Sequence, residues 1–143
     1  ELSTEKFESL ILRPYRDIQG ILCIGYGNLC YEDGIKVSFH DPHITPERAE
    51  ELLIYNIKPY EQFVNLALKE EINQNQFDAL VSFCYDIGMQ NFRNCKLIRQ
   101  INKYIDVNDP TVSDYFMHYN KCGNYKTVNL VYRRQLESKL YFS

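Results

Sequence analysis

The chain has 143 residues, is 45% hydrophobic and 24% charged, and carries a formal net charge of −3. This is the profile of one ordinary globular domain with enough length to bury a core. Lys+Arg 16 against Asp+Glu 19, with no long run of either sign, argues against the basic face of a nucleic-acid binder and gives no strong pull toward an anionic polymer. No uninterrupted apolar run approaches the roughly 18 residues of a membrane helix. The sequence begins at Glu1 without a methionine, so location is not read from its start.

In chain order, residues 3–12 read as a short helix, because Phe7, Leu10 and Ile11 recur at helical spacing. Arg13-Pro14 should end it, since proline pushes the preceding residue out of the α region. From Tyr15 to Phe39 loose alternation broken by Gly20, Gly25, Gly27 and Gly34 predicts a hairpin or a small three-stranded sheet, with a turn at Glu32-Asp33-Gly34. Thr45-Pro46-Glu47 is a helix start with a capping hydroxyl, a proline at the first helical position and an acid in the first turn. Ala49, Leu52 and Leu53 carry its buried face, which Tyr60, Phe63, Val64, Ala67 and Leu68 extend beyond Pro59, a residue expected to kink or interrupt it. Asn73 or Asn75 opens an apolar helix through Phe77, Leu80, Val81 and Cys84 that stops at Gly88. Helices are further expected at about 94–105, 111–120 and 127–141. There is no internal repeat or low-complexity tract. The class is α+β, mostly helical with one small β lobe.

The five cysteines, Cys23, Cys30, Cys84, Cys95 and Cys122, include no Cys-x-x-Cys pair and none lies near a histidine at zinc-finger spacing, so no structural zinc is expected. His40, His43 and His118 are isolated and read as surface residues. The twelve tyrosines are spread along every segment, as amphipathic filler is. The residues that carry chemistry stand near the N-terminus. Glu8, at the edge of an apolar stripe beside Ile11 and Leu12, is partly desolvated, which disfavours its charged form and suits a general acid. Asp17, between Arg16 and the Ile18-Gln19-Gly20 turn, sits in a more polar place. Two carboxyls in divergent environments fit an acid and a base acting on a glycosidic bond. Taken alone, the pair is also what a helix edge and a surface turn would show.

The run Glu8-Ser-Leu-Ile-Leu-Arg-Pro-Tyr-Arg-Asp17, followed by Gly20 and Ile24-Gly25-Tyr26-Gly27, resembles the active-site segment of the phage-type lysozymes, glycoside hydrolase family 24. The resemblance continues through Ile44–Leu53, Gln76–Gly88, Phe92 to Asn102 and Tyr132–Glu137, in order and over nearly the whole chain. It implies one lysozyme-like domain over 1–143, with a β lobe at about 14–44, a helical lobe at about 1–13 and 45–143, and the active-site cleft between them. It also implies a monomeric muramidase without metal or cofactor, acting at the bacterial cell wall after export, secretion or release by lysis. Its substrate would be peptidoglycan, at the β-1,4 bond between N-acetylmuramic acid and N-acetylglucosamine.

The family's catalytic pattern is Glu, eight residues, Asp, five residues, Thr. Glu8 would then protonate the leaving oxygen and Asp17 would activate water on the opposite face. The third position is Cys23, whose thiol bonds water more weakly than a hydroxyl; the bland reading packs it as a small apolar residue. Substrate contacts map onto Leu29, Tyr85, Cys95 and Asn120, with core packing an equal reading for Tyr85. Asn28, Tyr119 and Asn129 replace the family's usual His, Trp and Gly, and Asn28 removes a structural ion pair. Arg133 or Arg134 would approach Glu8 or brace the cleft, with exposed salt bridges as the ordinary alternative. Two other readings use the same residues: a wall-binding or host-interaction module with weak catalysis, and a lytic transglycosylase relying on Glu8 alone.

Overall fold

The computed structural model describes residues 10–17, 19–119, 121–122, 125–126 and 128–143. The chain divides into two compact units, Glu1–Pro59 and Tyr60–Ser143. The class is α+β, as expected.

In the first unit, β1 (Ile11–Arg16) pairs antiparallel with β2 (Leu22–Gly25). The expected helix over 3–12 is therefore corrected at its C-terminal end, because Ile11 and Leu12 are strand and Pro14 lies inside β1 rather than after a helix. The physical reason is local. Proline's fixed φ and its bias on Arg13 favour extended backbone, and strand pairing fixes Ile11 and Leu12; residues 3–9 of that expectation lie outside the described residues. The register passes from Ile11↔Gly25 to Tyr15↔Cys23 through an irregularity. This bulge lets a residue without an N–H sit in the strand. The backbone N–H of Ile44 donates to the Leu12 carbonyl at 2.8 Å.

Among the described residues no third strand joins this sheet; isolated bridges Ile24↔Asn28 and Cys30↔Lys36 follow it. The Glu32-Asp33-Gly34 turn is present, with the Gly34 N–H donating to the Tyr31 carbonyl at 2.9 Å. Arg48 grips Glu32 through two contacts of 2.5 and 2.7 Å, and the Tyr31 hydroxyl donates to Asp41 at 2.8 Å. Ile24, Val37 and Leu52 form the core here, with Leu22, Tyr31 and Ile44 against them.

Helix α1 (Pro46–Ala67) starts where expected, with the Arg48 N–H donating to the Thr45 hydroxyl at 3.1 Å. It runs through Pro59 without interruption, so of the expected kink or interruption the interruption does not occur. A proline inside a helix costs about 3 kcal/mol. Buried Ala49, Leu52, Leu53, Ile57 and Val64 offset that, since a fully buried Leu or Ile contributes about 1.5–3 kcal/mol.

In the second unit α2 (Gln74–Ile87) opens on Asn73 in a reciprocal capping box with Gln76 and closes at Gly88, φ +90°. The expected helix at about 94–105 is α4 (Lys96–Lys103); a short helix that was not expected, α3 (Met89–Asn94), precedes it, separated by Cys95 in extended conformation. Then come α5 (Val112–Phe116), a 3-10 turn at Met117–Tyr119, the short hairpin β3 (Lys121–Cys122) and β4 (Tyr125–Lys126), and α6 (Val128–Tyr141). The hairpin is too short to have left a periodic signal. Phe83 packs edge-on against both Phe92 and Phe116, and Phe116 packs in the same way on Tyr141. The Asn102 side chain ties the end of α1 to α4, accepting from Lys69 N–H at 2.9 Å and donating to the Ala67 carbonyl at 2.7 Å.

Candidate active site

Asp17 directly follows β1 and begins the turn into β2. Its Oδ1 accepts from the backbone N–H of Gln19 at 2.9 Å and of Ile21 at 2.8 Å. The Gly20 N–H returns to the Asp17 carbonyl and the Asp17 N–H to the Ile21 carbonyl, both at 2.9 Å. An aspartate bonding its own backbone two residues on is the usual way this residue nucleates a turn. Gly20 has φ +83°, which a side chain would strain. Arg16 Nη1 clips the loop by donating to the Gly20 carbonyl at 2.9 Å. The turn thus consumes one carboxylate oxygen and fixes the direction of the other.

That other oxygen, Oδ2, lies 4.0 Å from the Cys23 thiol. Cys23 is opposite Tyr15 in the strand register and is 2% exposed. Its thiol donates more closely to the Ile21 carbonyl, at 3.2 Å. Burial pushes the Cys23 thiol up, and the neighbouring Asp17 charge adds to it. The thiol is therefore protonated at neutral pH, packed, and not a nucleophile.

Two residues on, Gly25 has φ +69°, and a Cβ there would meet Asn28 Nδ2 at 3.2 Å. Asn28 is buried, and its Oδ1 accepts from Asn56 Nδ2 at 2.8 Å. A neutral amide pair thus stands at the position where the resemblance places an ion pair.

Asp17 and Cys23 are brought together. Leu29 is half exposed in the same unit. Tyr85, in the second unit, is half-buried with its ring edge-on to Tyr60 at 5.1 Å. Cys95 is 1% exposed at the α3–α4 junction, where burial pushes its thiol up. Glu8 and Asn120 lie outside the described residues, as do the side chains of Tyr119 and Asn129.

The second unit holds a polar cluster around the two arginines that the sequence reading set either near Glu8 or in exposed salt bridges. Arg133 and Arg134 are buried, 7% and 0% exposed, as is Glu137 at 0%. Exposed salt bridges were the ordinary expectation for these arginines, and it is corrected. Glu137 accepts from the Ser82 hydroxyl at 2.6 Å and from Arg133 Nε at 3.2 Å, and its other oxygen lies 3.1 Å from Arg134 Nη1. Arg133 also donates to the Ser82 carbonyl at 2.9 Å, and Arg134 pairs with Asp86 and stacks over Phe83, 4.8 Å from the ring centre. Burial pushes the Glu137 carboxyl up, against the opposing pull of Arg134 and Arg133. The signal that could have found this cluster was the i,i+3 and i,i+4 spacing of Arg134 and Arg133 to Glu137.

Among the described residues no three His, Cys, Asp or Glu side chains are grouped to hold a metal ion, and no helix is long and apolar enough to cross a membrane.

Comparison with known proteins gives a family-model match to "Phage lysozyme" over residues 5–137. The endolysin of Bacillus phage PZA is 35% identical over 141 residues, 97% of this chain and 52% of that protein. The endolysin of Salmonella phage P22 is 33% identical over 132 residues, 92% of this chain and 87% of that one. This chain therefore spans about half of the first relative and most of the second. Among solved structures, an endolysin from Escherichia coli O157:H7 phage FAHEc1 superposes with a TM-score of 0.89 at 31% identity, covering 100% of this chain and 94% of that one. The chain belongs to the phage lysozyme family.

Proposed function

We propose that this chain is a muramidase that hydrolyses the β-1,4 bond between N-acetylmuramic acid and N-acetylglucosamine in peptidoglycan with inversion. Glu8 is the general acid, donating its proton to the leaving glycosidic oxygen. Asp17 is the base, taking a proton from the attacking water as its oxygen bonds to the anomeric carbon. The observation that carries this reading is the Asp17 turn. Two backbone N–H groups hold one oxygen at 2.8–2.9 Å, so the second is held in one direction and needs no reorganisation to orient water. Cys23 sits beside that oxygen in place of a hydroxyl and gives its hydrogen to Ile21 instead. Water is accordingly held by Asp17 with little help.

Digestion of purified peptidoglycan by the chain, by Glu8→Gln and by Asp17→Asn tests the assignment. The expected products are muropeptides with reducing muramic ends, first appearing as the inverted anomer. Each variant should lose at least about 100-fold in turnover. If Glu8→Gln digests the wall as the parent does, the assignment is wrong. The Cys23 geometry favours one other reading, a wall-binding module with weak catalysis, which would leave the sacculus intact. A lytic transglycosylase using Glu8 alone would instead leave 1,6-anhydro ends and tolerate Asp17→Asn.

A further inference from the structure

The first unit carries an open groove of about 660 Å³ that the catalytic reading does not use. It is bordered by Arg13, Pro14 and Arg16 of β1 and by Phe39, Asp41 and His43 of the facing loop, and neither Asp17 nor Cys23 is among its described lining residues. In a regular strand, residues three apart point to opposite faces. Arg13 and Arg16 border one groove because the strand is irregular between Ile11 and Tyr15, which is how bulges re-aim side chains. Arg16 is steadied by its bond to the Gly20 carbonyl, whereas Arg13 is exposed and, among the described residues, has no hydrogen-bond or ion-pair partner. Asp41 is held in place by the Ser38 N–H and the Tyr31 hydroxyl, both at 2.8 Å to Oδ2. Pro14 is buried beneath, and Phe39 stands 61% exposed at the side.

We propose that this groove is a subsite for the peptide stems of peptidoglycan, with Arg13 and Arg16 taking stem carboxylates and Asp41 taking the free amine of the stem's diamino acid. The inference rests on the wall-hydrolase reading for its source of ligand. Charge complementarity favours this occupant. Two guanidiniums and one carboxylate match a short peptide with several carboxylates and one ammonium better than they match a polyphosphate or a plain glycan. Guanidinium forks bind carboxylates with two parallel bonds, and small alanine methyls suit the Pro14 and Phe39 surfaces. The volume falls in the range of roughly 300–1,000 Å³ that holds compact ligands. The subsite also gives a chain of net charge −3 a local hold on an anionic wall.

The test titrates the folded chain with a soluble stem tetrapeptide containing the diamino acid, and with the same peptide acetylated on its side-chain amine. Arg13→Gln is the main variant, because Arg16 also supports the catalytic turn. Lys103→Gln, an exposed cation in the second unit, is the matched control. Arg13→Gln should weaken peptide binding about 5- to 10-fold, acetylation should weaken it similarly, and Lys103→Gln should leave it unchanged. On intact peptidoglycan Arg13→Gln should raise KM by the same factor with kcat kept. On glycan stripped of peptides by an amidase it should change neither.

Equal effects of Arg13→Gln and Lys103→Gln would overturn the subsite. An equal KM effect on stripped glycan would overturn the stem assignment and point to the lactyl carboxylate of the sugar. If the parent chain cleaves neither glycan, the hydrolase reading fails, and the peptide titration still decides the groove by itself.

Discussion

Replacing Glu137 by Gln removes one negative charge from a fully buried site while keeping its shape. Opposing physical terms meet there. Burial pushes the carboxyl up, which would favour a neutral acid that Gln imitates at little cost. Yet the side chains that hydrogen-bond it are donors, Ser82 Oγ at 2.6 Å and Arg133 Nε at 3.2 Å, and Arg134 Nη1 is an ion-pair contact at 3.1 Å. Arginine has donors only, so a neutral carboxyl would leave its own proton facing cations. The carboxylate form therefore wins. Glu137→Gln then takes a balancing charge away from two buried guanidiniums, and breaking one side of a buried pair costs about 3–5 kcal/mol.

For a chain of this length that is a fall in Tm of roughly 10–15 °C, read by calorimetry and urea unfolding at neutral pH. The companion variant Arg134→Met/Glu137→Leu removes opposite charges together and leaves Arg133 beside Asp86. It should recover more than half of the loss, because matched apolar replacements avoid the orphaned charge. A loss under about 1 kcal/mol for Glu137→Gln would mean the acid is neutral in the native state. A double variant as damaged as the sum of its singles would mean the charges do not act as a pair.

Three further outcomes are expected. Cys23→Thr should keep the fold and raise turnover a few-fold, as a hydroxyl both accepts from and donates to the attacking water; a fall in turnover on purified peptidoglycan would show that the thiol serves this site better. Arg48 holds the Glu32 carboxyl below its usual range, so this stability is present above the unfolded carboxyl value and is lost as pH falls through the folded one. With about a third of each side chain exposed, Glu32→Gln should cost under about 1 kcal/mol at neutral pH and flatten the early part of acid unfolding; an unchanged acid limb would refute the pairing. Burial, with help from the Asp41 hydrogen bond, pushes Tyr31 up to about 12. Its contribution is complete below tyrosine's ordinary value of about 10 and is lost as pH rises through the folded value. Tyr31→Phe should remove that alkaline fall, measured as stability against pH; an identical alkaline limb would sink the assignment.

The elements legible in the sequence are those whose causes are local. Thr45-Pro46-Glu47 and Asn73 with Gln76 satisfy their own helix ends within four residues, and Gly88 closes α2 by its own φ. The Asp17 turn is likewise self-contained, which is why half of the candidate site could be read from ten residues. Where the outcome depends on distant partners, local pattern gave the wrong answer. Phe7, Leu10 and Ile11 carry a helical spacing, but Ile11 and Leu12 take their conformation from β2 and from Ile44 across more than thirty residues. Pro59 looked like an interruption because its cost is local, whereas the buried face that outweighs it is set by packing. Arg133 and Arg134 looked solvated because charge alone defaults to the surface; what buries them is Ser82 and Asp86, about fifty residues away on α2. The same division explains Cys23. The family pattern that the resemblance implies marks it as a departure from threonine, but only the folded geometry shows its thiol donating to Ile21. On the proposed role of Asp17, the substitution should weaken the hold on water without disturbing the carboxylate beside it, so its effect is expected in turnover rather than in stability.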